Sequence, residues 1–328
     1  MNDILIKSIA DIAVNNYEKL NCDFVYYTDK ETAFKIIKNK EIWMRKSNLM
    51  NDYKELEYGE EKVKNILQHD MHESLDCVLR KLNSNRIEYI KRKNVLWEKI
   101  KSNSFILSLT KEKIFEKNDG RLSMWRAYGN QEGIAFVFKK DIFLNILEKI
   151  AAENSKNYFP SGRFLFPVYY DNYDDNDRIN NDLKEIFSIG NIRETAGCDD
   201  VLNQIVMNIC FSMMIIKHPG FREENEIRFW YSIMSDDGVE DGLDTINIDN
   251  EDLGGINQRV SKIKLDKLFD LCDVNWNELL KAVIIGPMMK ERALALKEVL
   301  YDKIRCHDDA FEMNKIVLSS IPFRQSLR

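Results

Sequence analysis

The sequence predicts an α+β fold in a single domain spanning 1–328, and three observations carry that reading. Short β-prone runs recur from residue 24 to residue 321, two stretches at about 53–102 and 178–217 read as helical, and strands stand on both sides of each helical stretch. The last point favours helical insertions within one sheet-based domain over two independent domains. A chain of 328 residues, 44% of them hydrophobic, can bury a large core.

From residue 2 to 20 apolar positions recur at helical spacing, and 24–27 then reads as a strand closed by Thr28 and Asp29. Ala33, Phe34, Ile36 and Ile37 mark a short helix over 31–39, and a second strand at 42–45 ends in the polar segment S-N-L-M-N-D. Residues 53–101 are rich in Lys, Glu, Leu and Asn, with no proline and no glycine after Gly59, which gives helices with solvated charged faces. Strand sequence returns at 104–110 and in G-I-A-F-V-F, with turn residues at Gly129, Asn130, Glu132 and Gly133 between them. A strand over 164–170 leads into the acidic loop D-N-Y-D-D-N-D, which lacks the glycine and terminal glutamate of a calcium loop. Helix follows over about 181–216 until Pro219 and Gly220 break it. K-A-V-I-I-G-P is a buried-strand signal, 291–303 a helix and 315–321 a last strand.

The net charge of −6 argues against a strongly basic nucleic-acid-binding surface. The six cysteines are scattered, with no C-x-x-C pair and no zinc spacing, so reduced thiols in a cytoplasmic protein are expected. His69 and His72 are the one close histidine pair, and on a charged helical stretch they read as surface, so no metal is predicted. The opening M-N-D-I-L-I-K-S-I-A-D fits an amphipathic helix better than a signal sequence. No segment is apolar and long enough to span a bilayer, so no membrane partner is expected.

The densest chemistry is F-R-E-E-N-E-I-R-F-W, residues 221–230. In an extended strand the period of two sends Glu224, Glu226 and Arg228 to one face and Asn225, Ile227 and Phe229 to the other. Neighbouring carboxylates need compensation if buried, which Arg228 supplies in part, while a solvated strand edge with a local ion pair explains the same residues. V-Y-Y-T, residues 25–28, sets aromatic and hydroxyl groups at a strand end, where they can bind a flat polar ring and a ribose. Alternation sends Tyr26 and Tyr27 to opposite faces, so only one lines the pocket; Tyr26, with Thr28, is the candidate. The segment 47–52 concentrates Ser47, Asn51 and Asp52 after a strand, although Asn51 and Asp52 also suit a helix cap. S-L-T offers Ser108, and in M-W-R-A-Y-G Trp125 and Tyr128 share a helical face, as core pairs also do. Together these residues describe a pocket of aromatic rings, hydroxyls and one acidic strand.

In order along the chain, V-Y-Y-T, a short helix, I-W-M-R-K-S-N-L-M-N-D, S-L-T, M-W-R-A-Y-G with Q-E-G-I-A-F-V-F, K-H-P-G-F-R-E-E-N-E-I-R and V-I-I-G-P resemble the bacterial domain-of-unknown-function family 2971. That family's pattern runs aromatic-His-Tyr-Thr, Phe-Asn-Asp-Pro, Ser-Phe-Ser, Met-Trp-x-x-Tyr, a glycine with a strand, and Lys-x-x-x-Trp-x-x-Glu-x-Glu-x-Arg. Lys217, Phe221, Glu224, Glu226 and Arg228 fit the last motif in register. The departures are Tyr26 at the frequent His position, Met50 and Tyr53 flanking Asn51 and Asp52, and Phe221 for Trp. They leave the spacing intact.

The family in turn is similar to the ADP-ribosyltransferase superfamily, whose split sheet opens with a His- or Arg-Tyr-Thr strand and later supplies a catalytic glutamate. The resemblance implies a split mixed β-sheet core of that type, NAD as substrate, and a macromolecular acceptor (protein or nucleic acid) or water. It implies that Glu226 is the catalytic glutamate, with Glu224 orienting an acceptor or pairing with Arg228. Tyr26 and Thr28 would touch the nicotinamide ribose or amide, Ser47 or Ser108 would support the site, Tyr128 would stack on nicotinamide, and Arg228 would bind a pyrophosphate. Asn51, Asp52 and Trp125 complete the expected cofactor-binding set. The whole implies an NAD-consuming transferase or glycohydrolase, used as a toxin or antiphage effector. Two other readings are a non-catalytic nucleotide-sensing or interaction domain, and a metal-dependent nuclease, for which the two glutamates lack a third acidic ligand in a supporting motif.

Overall fold

A computed structural model of the chain describes residues 22–49, 54–112, 116, 118–130, 132–152, 163–171, 179–181, 183–184, 197–233, 245–253, 255–288 and 290–322. The expected helix over 2–20, Asn51 and Asp52, and the acidic loop from 172 to 177 lie outside the described residues.

Strand β1 (Phe24–Asp29) hands directly to helix α1 (Lys30–Asn39), because Asp29 caps the helix by accepting from the Thr32 amide at 2.8 Å. Lys40, at φ 52°, ends α1 in the left-handed region and turns the chain into β2 (Glu41–Lys46). The first helical stretch is α2 (Glu55–His69), α3 (His72–Lys81) and α4 (Arg86–Asn103), and α4 runs straight into β3 (Ser104–Lys111). Then come α5 (Leu122–Tyr128), β4 (Gly133–Phe138), α6 (Lys140–Ala152), β5 (Arg163–Pro167), β6 (Tyr169–Tyr170), α7 (Cys198–Met214), β7 (Ile216–Lys217) and β8 (Glu226–Ser232). The last part holds β9 (Ile246–Leu253), β10 (Ile256–Lys264), α8 (Leu265–Cys272), α9 (Trp276–Leu279), β11 (Leu280–Ile285), α10 (Lys290–Arg305) and β12 (Ile316–Leu318).

Ten of the described strands form one mixed sheet, in which β11 and β12 are parallel and the other pairs antiparallel. The feature that positions the site is at β3. One of its edges is occupied along its length by β8, from Ser104 opposite Ser232 to Thr110 opposite Glu226. The other edge is shared, β1 holding one end with Val25 opposite Thr110 and β2 holding the other with Arg45 opposite Ile106. Neither pairs with 107–109, so the sheet forks into a β1-β4-β11-β12 arm and a β2-β10-β9 arm. Aromatic packing braces the first arm, where Phe143 of α6 stacks on Phe138 at 5.0 Å and meets Phe24 edge-on at 5.8 Å.

Several expectations change in detail. The strand expected over 164–170 is two strands, β5 ending at Pro167 against β8 and β6 pairing with β7 in a small separate sheet, with the Val168 amide between them still donating to the Glu226 carbonyl at 3.0 Å. The last strand is confined to β12 because residues 313–315 form a 3₁₀ turn. The β9–β10 hairpin, α8 and α9 went unanticipated. Charged residues such as Asp249 and Glu251 obscure the apolar alternation of β9, although the Gly254-Gly255 pair between Leu253 and Ile256 is itself a hairpin signal. Among the described residues, no helix is long and apolar enough to cross a membrane.

Helix α2 touches the end of α7 backbone to backbone. A Cβ on Gly59 would lie 1.9 Å from the Met213 carbonyl oxygen. By helix propensity alone Gly59→Ala would stabilise α2 by about 1 kcal/mol. The contact reverses the sign, and Gly59→Ala is expected to destabilise the protein by about 2 kcal/mol. Urea unfolding measures this, and a stabilised variant would show that the two helices do not approach so closely.

Candidate active site

The fork opens a cleft of about 640 Å³, a size typical of small-molecule sites. Residues 106–110 of β3 form its floor, β1 and α1 one wall, and Glu41, Trp43 and Arg45 of β2 the other. Glu55, Tyr128, Lys217, Phe221, Glu224 and Glu226 close the inner end.

The extended strand expected through 221–230 is only partly present, since β8 begins at Glu226 and Pro219–Glu224 is a 3₁₀ turn. Pro219 suits the start of the turn, where its missing N–H leaves no bond unmade. Asn225, at φ 45°, then kinks the chain in the left-handed region that Asn tolerates better than most residues. Strand alternation therefore aligns Glu226 with Arg228, while the turn and kink bring Glu224 to the same place by a different route.

Glu226 and Arg228 are 3% and 1% exposed. The guanidinium grips the carboxylate at both oxygens, Nε to Oε1 at 2.8 Å and Nη2 to Oε2 at 3.0 Å. Its Nη1 donates to the Met214 carbonyl at 2.8 Å, and Nη2 also pairs with Glu55 in the first turn of α2. Lys217 stands among the acids, its Nζ 2.7 Å from Glu224, 3.2 Å from Glu226 and 3.5 Å from Glu55. Tyr128 donates its hydroxyl to Glu224 Oε1 at 3.0 Å, and the Glu226 amide donates to the Tyr170 hydroxyl at 2.8 Å. Three carboxylates thus share two cations, and one negative charge is left in excess.

Burial raises the Glu226 pKa above the ordinary glutamate value, with Lys217 pulling the other way. Burial also opposes the Lys217 charge, but Glu226 and Glu224 outweigh it and raise the lysine pKa. Burial brings Arg228 down to about 9, which still leaves it cationic at neutral pH. Burial and then Glu224 raise the Tyr128 pKa, so its hydroxyl keeps the proton it donates. Phe221 presents its ring to Lys217, with Nζ 4.8 Å from the centroid, a cation–π contact that either Phe or Trp can make at this position of the motif.

Ser108 lies opposite Arg228, near enough to Glu226 to favour its charge yet without a fully formed hydrogen bond. Tyr26 and Thr28 border the cleft. The register that joins Val25 to Thr110 and Thr110 to Glu226 puts Tyr27 on the Glu226 side of the sheet and Tyr26 and Thr28 on the other. Tyr26 and Thr28 therefore meet the cleft through the gap where β1 leaves β3. Burial pushes the Tyr26 hydroxyl up to about 12. Tyr27 packs inward, its hydroxyl accepting from the Arg121 amide at 2.9 Å and its ring edge-on to Trp125 at 4.8 Å.

Three residues expected to contact a ligand are engaged elsewhere. Trp125 fills a slot walled by glycines, where a Cβ on Gly120, Gly133 or Gly286 would lie 2.7, 2.9 or 2.9 Å from its indole, and Nε1 donates to the Asp119 carbonyl at 2.9 Å. Ser47 donates to the Lys101 carbonyl at 3.0 Å and ties the end of β2 to α4. Arg228 lies behind the cleft with its donors committed to Glu226, Glu55 and Met214, which leaves no face for a pyrophosphate. Asn51 and Asp52 fall outside the described residues. Glu55 and Tyr170 join the site without having been anticipated. Glu55 is one acid among many in 53–101, and only its position three residues after Asp52 sets it apart. Among the described residues no three His, Cys, Asp or Glu side chains group as a metal site.

Residues 124–229 match the model of the family described as Protein of unknown function (DUF2971). Over this segment the chain is similar to that family. The DUF2971 match runs from α5 into β8, so it holds Tyr128, Lys217, Glu224, Glu226 and Arg228 and leaves Tyr26, Glu55 and Ser108 outside. No curated protein and no solved structure matches the chain.

Arg228→Met would leave two buried carboxylates and the half-buried Glu224 with one cation and is expected to cost about 3–5 kcal/mol of stability. Adding Glu226→Leu removes the stranded charge and should recover much of that loss. Chemical denaturation of both variants tests this, and a double variant no more stable than the single one would show that Glu226 is not the principal partner of Arg228.

Proposed function

We propose that the protein cleaves the nicotinamide–ribose bond of NAD and passes the ADP-ribose to a macromolecular acceptor or to water, in the manner of an ADP-ribosyltransferase. The observation that carries this reading is the excess negative charge of the glutamate cluster at the fork of the sheet. When the bond breaks, its electron pair leaves with nicotinamide, which becomes neutral, and the ribose carbon and ring oxygen share a positive charge. A fixed, under-compensated carboxylate favours that transition state over the ground state.

The residues divide the task. Glu226 Oε1 accepts one hydrogen bond, from Arg228, and keeps a lone pair for a ribose hydroxyl. Glu224, held by Tyr128 and Lys217, takes the proton of the attacking water or acceptor as the new bond to ribose forms. Tyr128 offers a ring beside the cluster for the nicotinamide. Tyr26 and Thr28 approach the substrate from the gap on the β1 side, and the forked sheet itself favours an ADP-ribosyltransferase-like core. The one observation that favours a nucleotide-binding module without turnover is the double hold of Arg228 and Lys217 on Glu226, which also suits a purely structural role.

Nicotinamide release from NAD, followed chromatographically with and without cell lysate as a source of acceptor, decides between them. Glu226→Gln is expected to lower the rate by about 100-fold or more. Because burial raises the Glu226 pKa, the carboxylate is lost at a higher pH than in free glutamate, so the acid limb of the wild-type pH–rate profile should lie above 4.5. Equal rates for wild type and Glu226→Gln at equal thermal stability would reject the assigned role. Absence of release from folded wild type in every condition would favour the binding module.

A further inference from the structure

Glu55 stands at the start of α2, 6% exposed, with its carboxylate turned into the cluster. It draws on the same two cations as Glu226. Arg228 Nη2 serves Glu226 Oε2 and Glu55 Oε1, and Lys217 Nζ serves Glu226 Oε2 at 3.2 Å and Glu55 Oε2 at 3.5 Å. We propose that Glu55 is a positioning residue: by competing for Arg228 and Lys217 it keeps Glu226 an under-compensated carboxylate, and it makes the first helical stretch part of the site. This rests on the reading of Glu226 as the carboxylate that meets the sugar.

With Glu55 ionised, three carboxylates face two cations. Without its charge two face two, Glu226 is more fully neutralised, and less of its field is left for a developing sugar cation. The groups that face Glu226 come from every neighbouring element: Arg228 from its own strand, Ser108 from β3, Lys217 from β7, Glu224 from the preceding turn, Tyr128 from α5, Tyr170 from β6 and Glu55 from α2. Glu55 is the member held on a separate helical layer. Helix α2 is registered to the sheet through the end of α7, where Gly59 lies against the Met213 carbonyl and Arg228 of β8 holds the adjacent Met214 carbonyl, so α2 cannot slide without disturbing the cluster.

The test uses the full chain with Glu55→Gln and, as a second variant that keeps the charge on a shorter reach, Glu55→Asp. Glutamate carboxyls are observed by carbon NMR on selectively labelled protein, and the Glu226 signal is identified by its loss in Glu226→Gln. The Glu226 titration is expected to move to lower pH by about one unit in Glu55→Gln, with Glu55→Asp between that variant and wild type. In nicotinamide release, kcat should fall about tenfold with KM little changed, and the acid limb should move down with the NMR midpoint. Variants that melt earlier but leave the Glu226 titration in place would overturn the proposal and make Glu55 an ordinary buried ion-pair partner. The NMR arm decides this even if the protein does not cleave NAD, so the two readings fail separately.

Discussion

Two buried cations, Lys217 and Arg228, have to satisfy the buried Glu55 and Glu226 and the half-buried Glu224, and the architecture around the cleft depends on that imbalance. An ionised group leaves water only if charge and hydrogen bonds replace what it loses. Here the replacements come from several elements at once. The guanidinium joins β8 to α2 and to the last turn of α7, and the ammonium joins β7 to the 3₁₀ turn before β8. Tyr128 and Tyr170 add hydrogen bonds from α5 and β6. Removing either cation strands carboxylates, and removing a carboxylate changes how the cations are shared among the rest, so the cluster acts as a single unit.

The sheet supplies the opening that gives this unit access to a ligand. Because β8 occupies one edge of β3, β1 and β2 must divide the other, and their divergence leaves a cleft over residues 107–109. Helix α5 is fixed against that opening by Trp125, whose indole sits among Gly120, Gly133 and Gly286 where any larger residue would collide. One turn further along, Tyr128 reaches Glu224. The tryptophan thus serves the site by locating the tyrosine, and the glycines of the strand segments G-I-A-F-V-F and V-I-I-G-P serve it by leaving room for the tryptophan.

Much of this was legible in the sequence where the signal is local. Strand alternation grouped Glu224, Glu226 and Arg228, the resemblance to the family motif added Lys217 and Phe221, and the alternating and helical runs located most strands and helices. What escaped depends on long-range pairing. The face on which Tyr26 lies follows from the register of β1 on β3, which no local pattern encodes. The slot around Trp125 is assembled from glycines far apart in the chain. Glu55 resembles its solvated neighbours until the fold turns it inward, and the route of Glu224 depends on a left-handed Asn225 that the strand pattern conceals.

The central claim is that NAD is held in the fork with its scissile bond at the glutamate cluster. The most direct measurement is a crystal structure of Glu226→Gln, which should bind without turning over, soaked with NAD. The account predicts the nicotinamide against Tyr128 and a ribose hydroxyl on the residue 226 side chain. NAD bound outside the fork, or bound with its nicotinamide end away from Glu224 and residue 226, would contradict it.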